Sequence, residues 1–169
     1  VSGIAMPILD QFSLEFFSKS AEQTKRLGTR LGALLKVGDV VCLSGDLGAG
    51  KTTFVQGIAR GWGSLDGVTS PTFVIVNQYR RPEGTILHHM DAYRLMGAED
   101  AYNLDMDEMY HTGALVMEWP EQIKDALPEA YLWVNLIWVD ENQRRMVFLP
   151  KGEHYQKLIS NFRQKTFGG

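Results

Sequence analysis

The sequence predicts an α/β domain: a mixed parallel and antiparallel sheet flanked by helices in three layers. Three observations carry that expectation. The apolar run Val40-Val41-Cys42-Leu43 passes through a glycine-rich loop straight into an amphipathic helix, the strand–loop–helix order of a parallel α/β unit. Segments with a period near two and segments with a period near 3.6 residues alternate along the chain. Two pairs of strand-like segments are joined by short turns, so some strands must run antiparallel to the rest.

Each element can be justified in turn. Residues 1–11 are expected to form a leader, because the chain opens on Val1 with Met6 soon after, and residues 12–169 a single domain. Leu14, Phe16 and Phe17 mark a short extended segment. Ser20-Ala21-Glu22-Gln23 offers a capping box, and Leu27, Leu31, Leu34 and Leu35 follow at helical spacing towards Val37-Gly38-Asp39. After the strand and loop, Phe54, Val55, Ile58 and Trp62 form the inward face of a second helix, which stops around Gly61 and Gly63. Residues 63–71 are rich in turn formers. Residues 73–79 alternate, Arg81-Pro82-Glu83-Gly84 turns the chain, and 85–89 return it as a hairpin. The acidic stretch 95–110 reads as partly helical. Leu115-Val116-Met117 is a buried-type strand ending at Glu118-Trp119-Pro120, followed by a short helix over 121–126. A second hairpin joins 131–139 to 144–149 across Asp140-Glu141-Asn142, and Tyr155, Leu158, Ile159 and Phe162 mark a closing helix.

Composition narrows the classes. The chain has 169 residues, 44% hydrophobic and 22% charged, enough to bury a core in one domain. A net charge of −3 excludes a global basic field that would draw it onto nucleic acid, leaving only a local basic patch. One cysteine, Cys42, excludes an internal disulfide and fits a reducing compartment; within an apolar run it reads as a packed side chain. No apolar stretch approaches the roughly 18 residues that span a bilayer, and the N-terminus has no signal-peptide pattern. A cytoplasmic location without membrane contact is expected.

The glycine-rich loop carries the chemistry. Gly45-Asp46-Leu47-Gly48-Ala49-Gly50-Lys51-Thr52 fits G-x-x-x-x-G-K-[ST], the phosphate-loop pattern, so the fold class becomes P-loop NTPase-like. Its glycines let successive backbone N–H groups converge on phosphate oxygens, with the N-terminus of the following helix behind them. Lys51 can reach the β and γ phosphates, and the Thr52 hydroxyl can join a magnesium shell. Phosphoryl transfer needs more: a metal against the phosphates and a group that positions the nucleophile. Magnesium takes oxygen ligands and few protein contacts, so one hydroxyl and one carboxylate suffice. Asp91 and Glu118 both stand at the ends of apolar strands, where an α/β sheet holds its ligands, although each is equally readable as a solvated strand-end charge. Val68-Thr69-Ser70-Pro71-Thr72-Phe73 is either a loop able to meet a γ-phosphate or a plain turn before a strand.

Other residues say less. His88 and His89 are adjacent and face opposite ways on a strand, with no zinc-ligand spacing. Arg80, Arg81, Arg94, Arg144 and Arg145 suit solvated faces or surface pairs better than phosphates. Trp133 and Trp138 read as core or partly core residues.

Taken together, the motifs resemble one family, the bacterial TsaE proteins (formerly YjeE). The resemblance rests on Ser44-Gly45-Asp46-Leu47-Gly48-Ala49-Gly50-Lys51-Thr52-Thr53, Val68-Thr69-Ser70-Pro71-Thr72-Phe73, His89-Met90-Asp91-Ala92-Tyr93-Arg94-Leu95 and Glu118-Trp119-Pro120-Glu121, in that order. It runs from about residue 12 to 149 and covers 151–169 weakly. It implies a Mg-dependent ATPase required for the threonylcarbamoyladenosine (t6A) modification of tRNA at adenosine 37. Such an enzyme turns ATP into ADP and phosphate, weakly alone, and acts with TsaD and TsaB to support turnover of their complex; tRNA is met indirectly. The resemblance further implies that Asp46, Leu47, Gly48, Ala49, Gly50, Lys51, Thr52 and Thr53 hold the nucleotide, with Trp119 beside it and Thr24 near the adenine. Thr52 and Glu118 would hold Mg2+, Asp91 would position the attacking water, and Lys51 and Thr72 would complete the catalytic set. A small-molecule kinase would need an acceptor pocket and commonly an arginine-rich lid, and neither is evident. A nucleotide-gated interaction module is the other alternative. A regulatory GTPase is disfavoured, since Asn-Lys-x-Asp and a following Asp-x-x-Gly are missing.

Overall fold

The computed structural model describes residues 10–67 and 76–168. Along the chain run β1 (Leu14–Ser18), α1 (Ala21–Leu34), β2 (Val40–Ser44), α2 (Lys51–Trp62), β3 (Val76–Arg80), β4 (Ile86–Asp91), α3 (Ala98–Tyr102), α4 (Met106–Thr112), β5 (Gly113–Glu118), a 3₁₀ segment (Pro120–Ala126), β6 (Tyr131–Trp138), β7 (Arg144–Lys151) and α5 (Glu153–Phe167). The strands make one sheet in the order β1-β7-β6-β2-β5-β4-β3. β6, β2, β5 and β4 are mutually parallel. β3, β7 and β1 pair antiparallel with their neighbours. The mixed sheet and both hairpins expected from the sequence are therefore present.

Helices cover the sheet on both sides. Val41, Leu43, Val116, Val134 and Phe148 pack with Leu27, Leu31, Phe54, Ile58 and Phe162 of α1, α2 and α5. Val40, Cys42, Leu115 and Met117 pack with Ala101, Met106, Met109 and Ile123 on the other side. Successive residues of β2 thus feed opposite cores, which is why that strand is apolar without alternation. Burial pushes the Cys42 thiol well above its usual range, so it is a packed, inert side chain.

The helix that carries the phosphate loop is fixed by an unusually close contact. A Cβ on Gly57 would stand 2.1 Å from the Lys25 carbonyl, and one on Gly61 would stand 1.9 Å from the Thr29 carbonyl. From the other side, Gly28 and Gly32 meet the carbonyls of Phe54 and Ile58 in the same way. Two glycines spaced four apart on each helix thereby bring α1 and α2 backbone to backbone. At the start of α1 the Ser20 hydroxyl accepts from Gln23 N–H at 3.0 Å, as a capping box requires. The Gln23 amide oxygen returns to Lys19 N–H at 2.7 Å, one residue outside the cap.

Two expectations need comment. Trp138 is 56% exposed rather than part of the core, because it ends β6 at the hairpin tip; Trp133 is half-buried. Of the expected leader, residues 1–9 lie outside the described residues. The Asp10 carboxylate accepts from Phe12 N–H at 2.9 Å and Ser13 N–H at 3.0 Å, in a turn that leads into β1. Among the described residues, no helix is long and apolar enough to cross a membrane.

Candidate functional site

The parallel strands β2, β5 and β4 end at one edge of the sheet, and the sequence puts a functional group at each end. After β2 the chain enters the loop. A Cβ on Gly45 would lie 2.5 Å from the Leu136 carbonyl, so only glycine lets the loop pass that close to β6. Gly48 (φ 80°) and Gly50 (φ 97°) are left-handed, conformations that side chains disfavour. Gly50 caps α2 with no side-chain hydrogen bond. The N–H groups of Lys51, Thr52 and Thr53 therefore open the helix at its positive end, where an anion is favoured. The turn is closed by Ala49 N–H donating to the Asp46 carbonyl at 3.0 Å.

Arg144 of β7 holds the loop from outside. Its guanidinium donates to the carbonyls of Ala49 at 3.2 Å and Gly48 at 3.1 Å. These bonds fix the two peptide planes on either side of Ala49 from outside the loop. Arg144 therefore serves the loop and not merely the surface, which sequence reasoning had favoured. The other arginines behave as expected. Arg145 pairs with Glu15, Arg81 lies over the Trp62 ring and pairs with Glu83, and Arg80 and Arg94 are exposed. A local basic cluster does exist, on α1 and α2: Lys25, Arg26, Arg30 and Arg60 line one surface cleft together.

Asp91 and Glu118 are register partners at the ends of β4 and β5, and Glu118 is also level with Leu43 of β2. Residues paired in register share a face, so both carboxylates belong to the face that carries α2. The Lys51 ammonium lies among Glu118, Glu121, Asp91 and Asp46. It donates to the Gly45 carbonyl and sits 3.9 Å from the centroid of the Trp119 ring. Burial pulls Lys51 below its usual range, and the four carboxylates oppose that. Burial pushes the Asp91 carboxyl up; a hydrogen bond from Tyr93 N–H at 2.9 Å works against it, and the Glu118 charge adds to it. Trp119 adopts φ 56° and ψ 48° immediately before Pro120, a costly conformation for a bulky residue, and its ring meets Tyr93 at 4.9 Å. The fourth residue of that motif, Glu121, accepts from the Ser44 hydroxyl at 2.6 Å and so ties the 3₁₀ segment to the end of β2.

Thr24 stands at the flank of the loop. It lines a small cleft with Ser20, Gly50, Thr53, Asn142 and Arg144, alongside the loop, and its hydroxyl pairs with Ser18 at 2.6 Å. Asp46, Leu47, Gly48, Ala49, Gly50, Lys51, Thr52 and Thr53 thus form one loop and helix start, with Asp91, Glu118 and Trp119 at the adjoining strand ends and Thr24 at the flank. Thr72 and the rest of the 68–73 motif lie outside the described residues.

Sequence reasoning missed His89. It is fully buried, and its Nε2 lies 2.6 Å from Glu118 Oε2 while its Nδ1 lies 3.0 Å from the Tyr79 hydroxyl. The alternation of β4 separated it from His88, which turns to Thr112 on the other face at 2.8 Å. No sequence signal says that β4 and β5 are neighbours, and that adjacency makes the His89–Glu118 contact.

The donor set fits magnesium. One Glu118 oxygen is engaged by His89, and among the described residues no donor meets the second. Thr52 supplies a hydroxyl at the first turn of α2. No cluster of three or more His, Cys, Asp or Glu side chains that would form a protein cage is present among the described residues. Magnesium needs none, because it keeps several waters and takes phosphate oxygens.

The chain as a whole is similar to known proteins of one family. Residues 18–146 match the model of the family described as threonylcarbamoyl adenosine biosynthesis protein TsaE. The chain is 37% identical over 147 residues to the tRNA threonylcarbamoyladenosine biosynthesis protein TsaE of Bacillus subtilis, covering 86% of this chain and 90% of the relative. It is 42% identical over 131 residues to the protein of that name from Treponema pallidum, covering 76% and 95%. A crystal structure of Bacillus subtilis YdiB superposes with a TM-score of 0.76 at 32% identity, covering 91% of this chain and 96% of that one.

Proposed function

The chain belongs to the TsaE family, and from that premise we propose that it is a Mg-dependent ATPase serving the t6A modification of tRNA at adenosine 37. The observation that carries the reading is the convergence of Lys51, Asp91 and Glu118 at one sheet edge beside an uncapped helix N-terminus. In this reading the N–H groups of residues 46–53 and the Lys51 ammonium cradle the phosphates of ATP or ADP. Thr52 and Glu118 hold Mg2+, which supplies charge neutralisation at the β and γ phosphates. Asp91 has one oxygen on Tyr93 N–H, which fixes the carboxylate and leaves its other oxygen to orient the attacking water. Trp119 walls the phosphate end, and Thr24 sits where the cleft continues towards the nucleoside. Thr72 completes the set.

Partners are proposed on the family premise: TsaD and TsaB bind this ATPase, and its turnover resets their complex, with tRNA met through them. Slow hydrolysis by the chain alone is expected, because the arginine that meets the loop, Arg144, is engaged by the carbonyls of Gly48 and Ala49 and not held as a charge-neutralising finger. The test is ATP hydrolysis by the purified chain with and without TsaD and TsaB, alongside co-purification of the three. Stimulated phosphate release that disappears in Asp91→Ala, with ATP still bound, supports the reading. Phosphate found only on an acceptor compound would instead establish a kinase, and full repeated modification by Asp91→Ala would show that hydrolysis is not the functional step.

A further inference from the structure

We infer that Tyr79 and His89 form a one-directional hydrogen-bond relay that orients the Glu118 carboxylate for a divalent cation, an inference that rests on Glu118 serving as the metal ligand proposed above. Geometry supplies the path. Asn77 is the register partner of His89 across β3 and β4, and Tyr79 lies two residues along the same face. His89 is in register with Val116 of β5, and Glu118 lies two residues further on, again on that face. Side chains from three adjacent strands therefore meet in line. Tyr79, His89 and Glu118 are all buried.

Direction follows from the chemistry at the Glu118 end. The Glu118 carboxylate is an acceptor only, so the proton it meets at 2.6 Å stands on His89 Nε2. The opposite tautomer would set a nitrogen lone pair against a carboxylate lone pair at that distance. The carboxylate end of the relay thus selects the tautomer, and the Tyr79 hydroxyl, 3.0 Å from Nδ1, can donate to the nitrogen it leaves bare. Its product is a carboxylate whose rotation is stopped by one oxygen, leaving the other presented to the sheet edge beside Lys51 and Thr52. His89 is thus a positioning residue, and a carboxylate left to rotate would bind metal less well.

The experiment measures Mn2+ binding by electron paramagnetic resonance on the full chain with saturating ADP, and ADP binding separately in EDTA. His89→Leu should raise the Mn2+ dissociation constant by about 10- to 100-fold while ADP affinity in EDTA stays as in wild type. His89→Gln, which keeps a donor towards Glu118, should recover most of that loss. Tyr79→Phe, which removes the donor to Nδ1, should fall between. Wild-type Mn2+ affinity in His89→Leu beside a weakened Glu118→Gln would overturn the relay and leave the metal reading intact. Unchanged affinity in Glu118→Gln would overturn the metal reading itself. Should His89→Leu fail to fold, a folded Tyr79→Phe with wild-type Mn2+ affinity is equally decisive against the relay.

Discussion

Lys51 rests its ammonium 3.9 Å from the centroid of the Trp119 ring while donating to the Gly45 carbonyl, so the loop's cation is folded back onto its own site. Trp119 reaches that position through a left-handed backbone worth about 1–3 kcal/mol of strain, and a shell that over-determines the ring must hold it there. A triphosphate competes directly for the ammonium, because a charge-assisted contact with phosphate outweighs a carbonyl and a ring face. Nucleotide binding should therefore draw Lys51 from the ring and change tryptophan emission. Trp119→Phe should abolish most of the fluorescence change, and a change of full amplitude in that variant would refute the assignment. Lys51→Ala should weaken ATP binding by about 1.5–3 kcal/mol, read by calorimetry.

Asp91 gives a pH prediction. Burial raises its carboxyl above the ordinary aspartate range, so the ionised form is lost at a higher pH than for an exposed aspartate. If that form orients water, kcat should fall as pH drops through the raised value, with nucleotide still bound. Asp91→Asn keeps the acceptor for Tyr93 N–H and should remove the acidic limb together with most hydrolysis. Stability runs the other way. A raised carboxyl binds its proton more tightly in the folded state, so the ionised group costs stability above that window and the cost vanishes below it. Asp91→Asn should therefore leave the neutral-pH Tm equal or higher. A clear drop in Tm would count against burial as the cause.

What the sequence shows of this site follows from what is local. The strand, the loop and the start of α2 are contiguous, so spacing alone places Lys51 and Thr52, and strand-end position marks Asp91 and Glu118. The strand order is non-local. Nothing in the chain says that β5 lies between β2 and β4, and so His89 reads as an idle strand histidine until Glu118 arrives beside it. Arg144 is hidden for the same reason: its loop partners Ala49 and Gly48 are 95 and 96 residues away. Gly61 reads in the sequence as part of the stop of α2, but α2 runs through it to Trp62 and ends at Gly63, and its four-residue spacing from Gly57 has no local meaning. Only the crossing of the two helices gives it a cause.

Arg144 supports a separate prediction. Its bonds to the carbonyls of Gly48 and Ala49 hold the two peptide planes on either side of Ala49. Arg144→Ala should cost about 1–2 kcal/mol of ATP affinity without touching Lys51. Amide hydrogen exchange at residues 48–50 should accelerate in the nucleotide-free variant. Arg144→Lys keeps charge but loses the fork, and should recover little. Equal affinity in wild type and Arg144→Ala would show that the loop needs no external brace.

The last prediction concerns the helix pair behind the loop. A Cβ at Gly61 would stand 1.9 Å from the Thr29 carbonyl, and backbone cannot step aside as a flexible side chain can. Gly61→Ala should therefore separate α1 from α2 and destabilise the fold by about 3 kcal/mol, a loss of about 6–12 °C in Tm. Helix propensity alone would make the same substitution stabilising, so the sign of the change decides between local and tertiary control. Gly67 is the control, since a Cβ there meets nothing within 4 Å. Gly67→Ala should stay within about 0.5 kcal/mol of wild type. Because α2 begins at Lys51, displacement of its far end tilts the N–H groups that open the loop. Gly61→Ala that remains folded at low temperature should accordingly bind ADP more weakly than Gly67→Ala, and identical ADP affinity in the two would mean that the close contact serves stability alone.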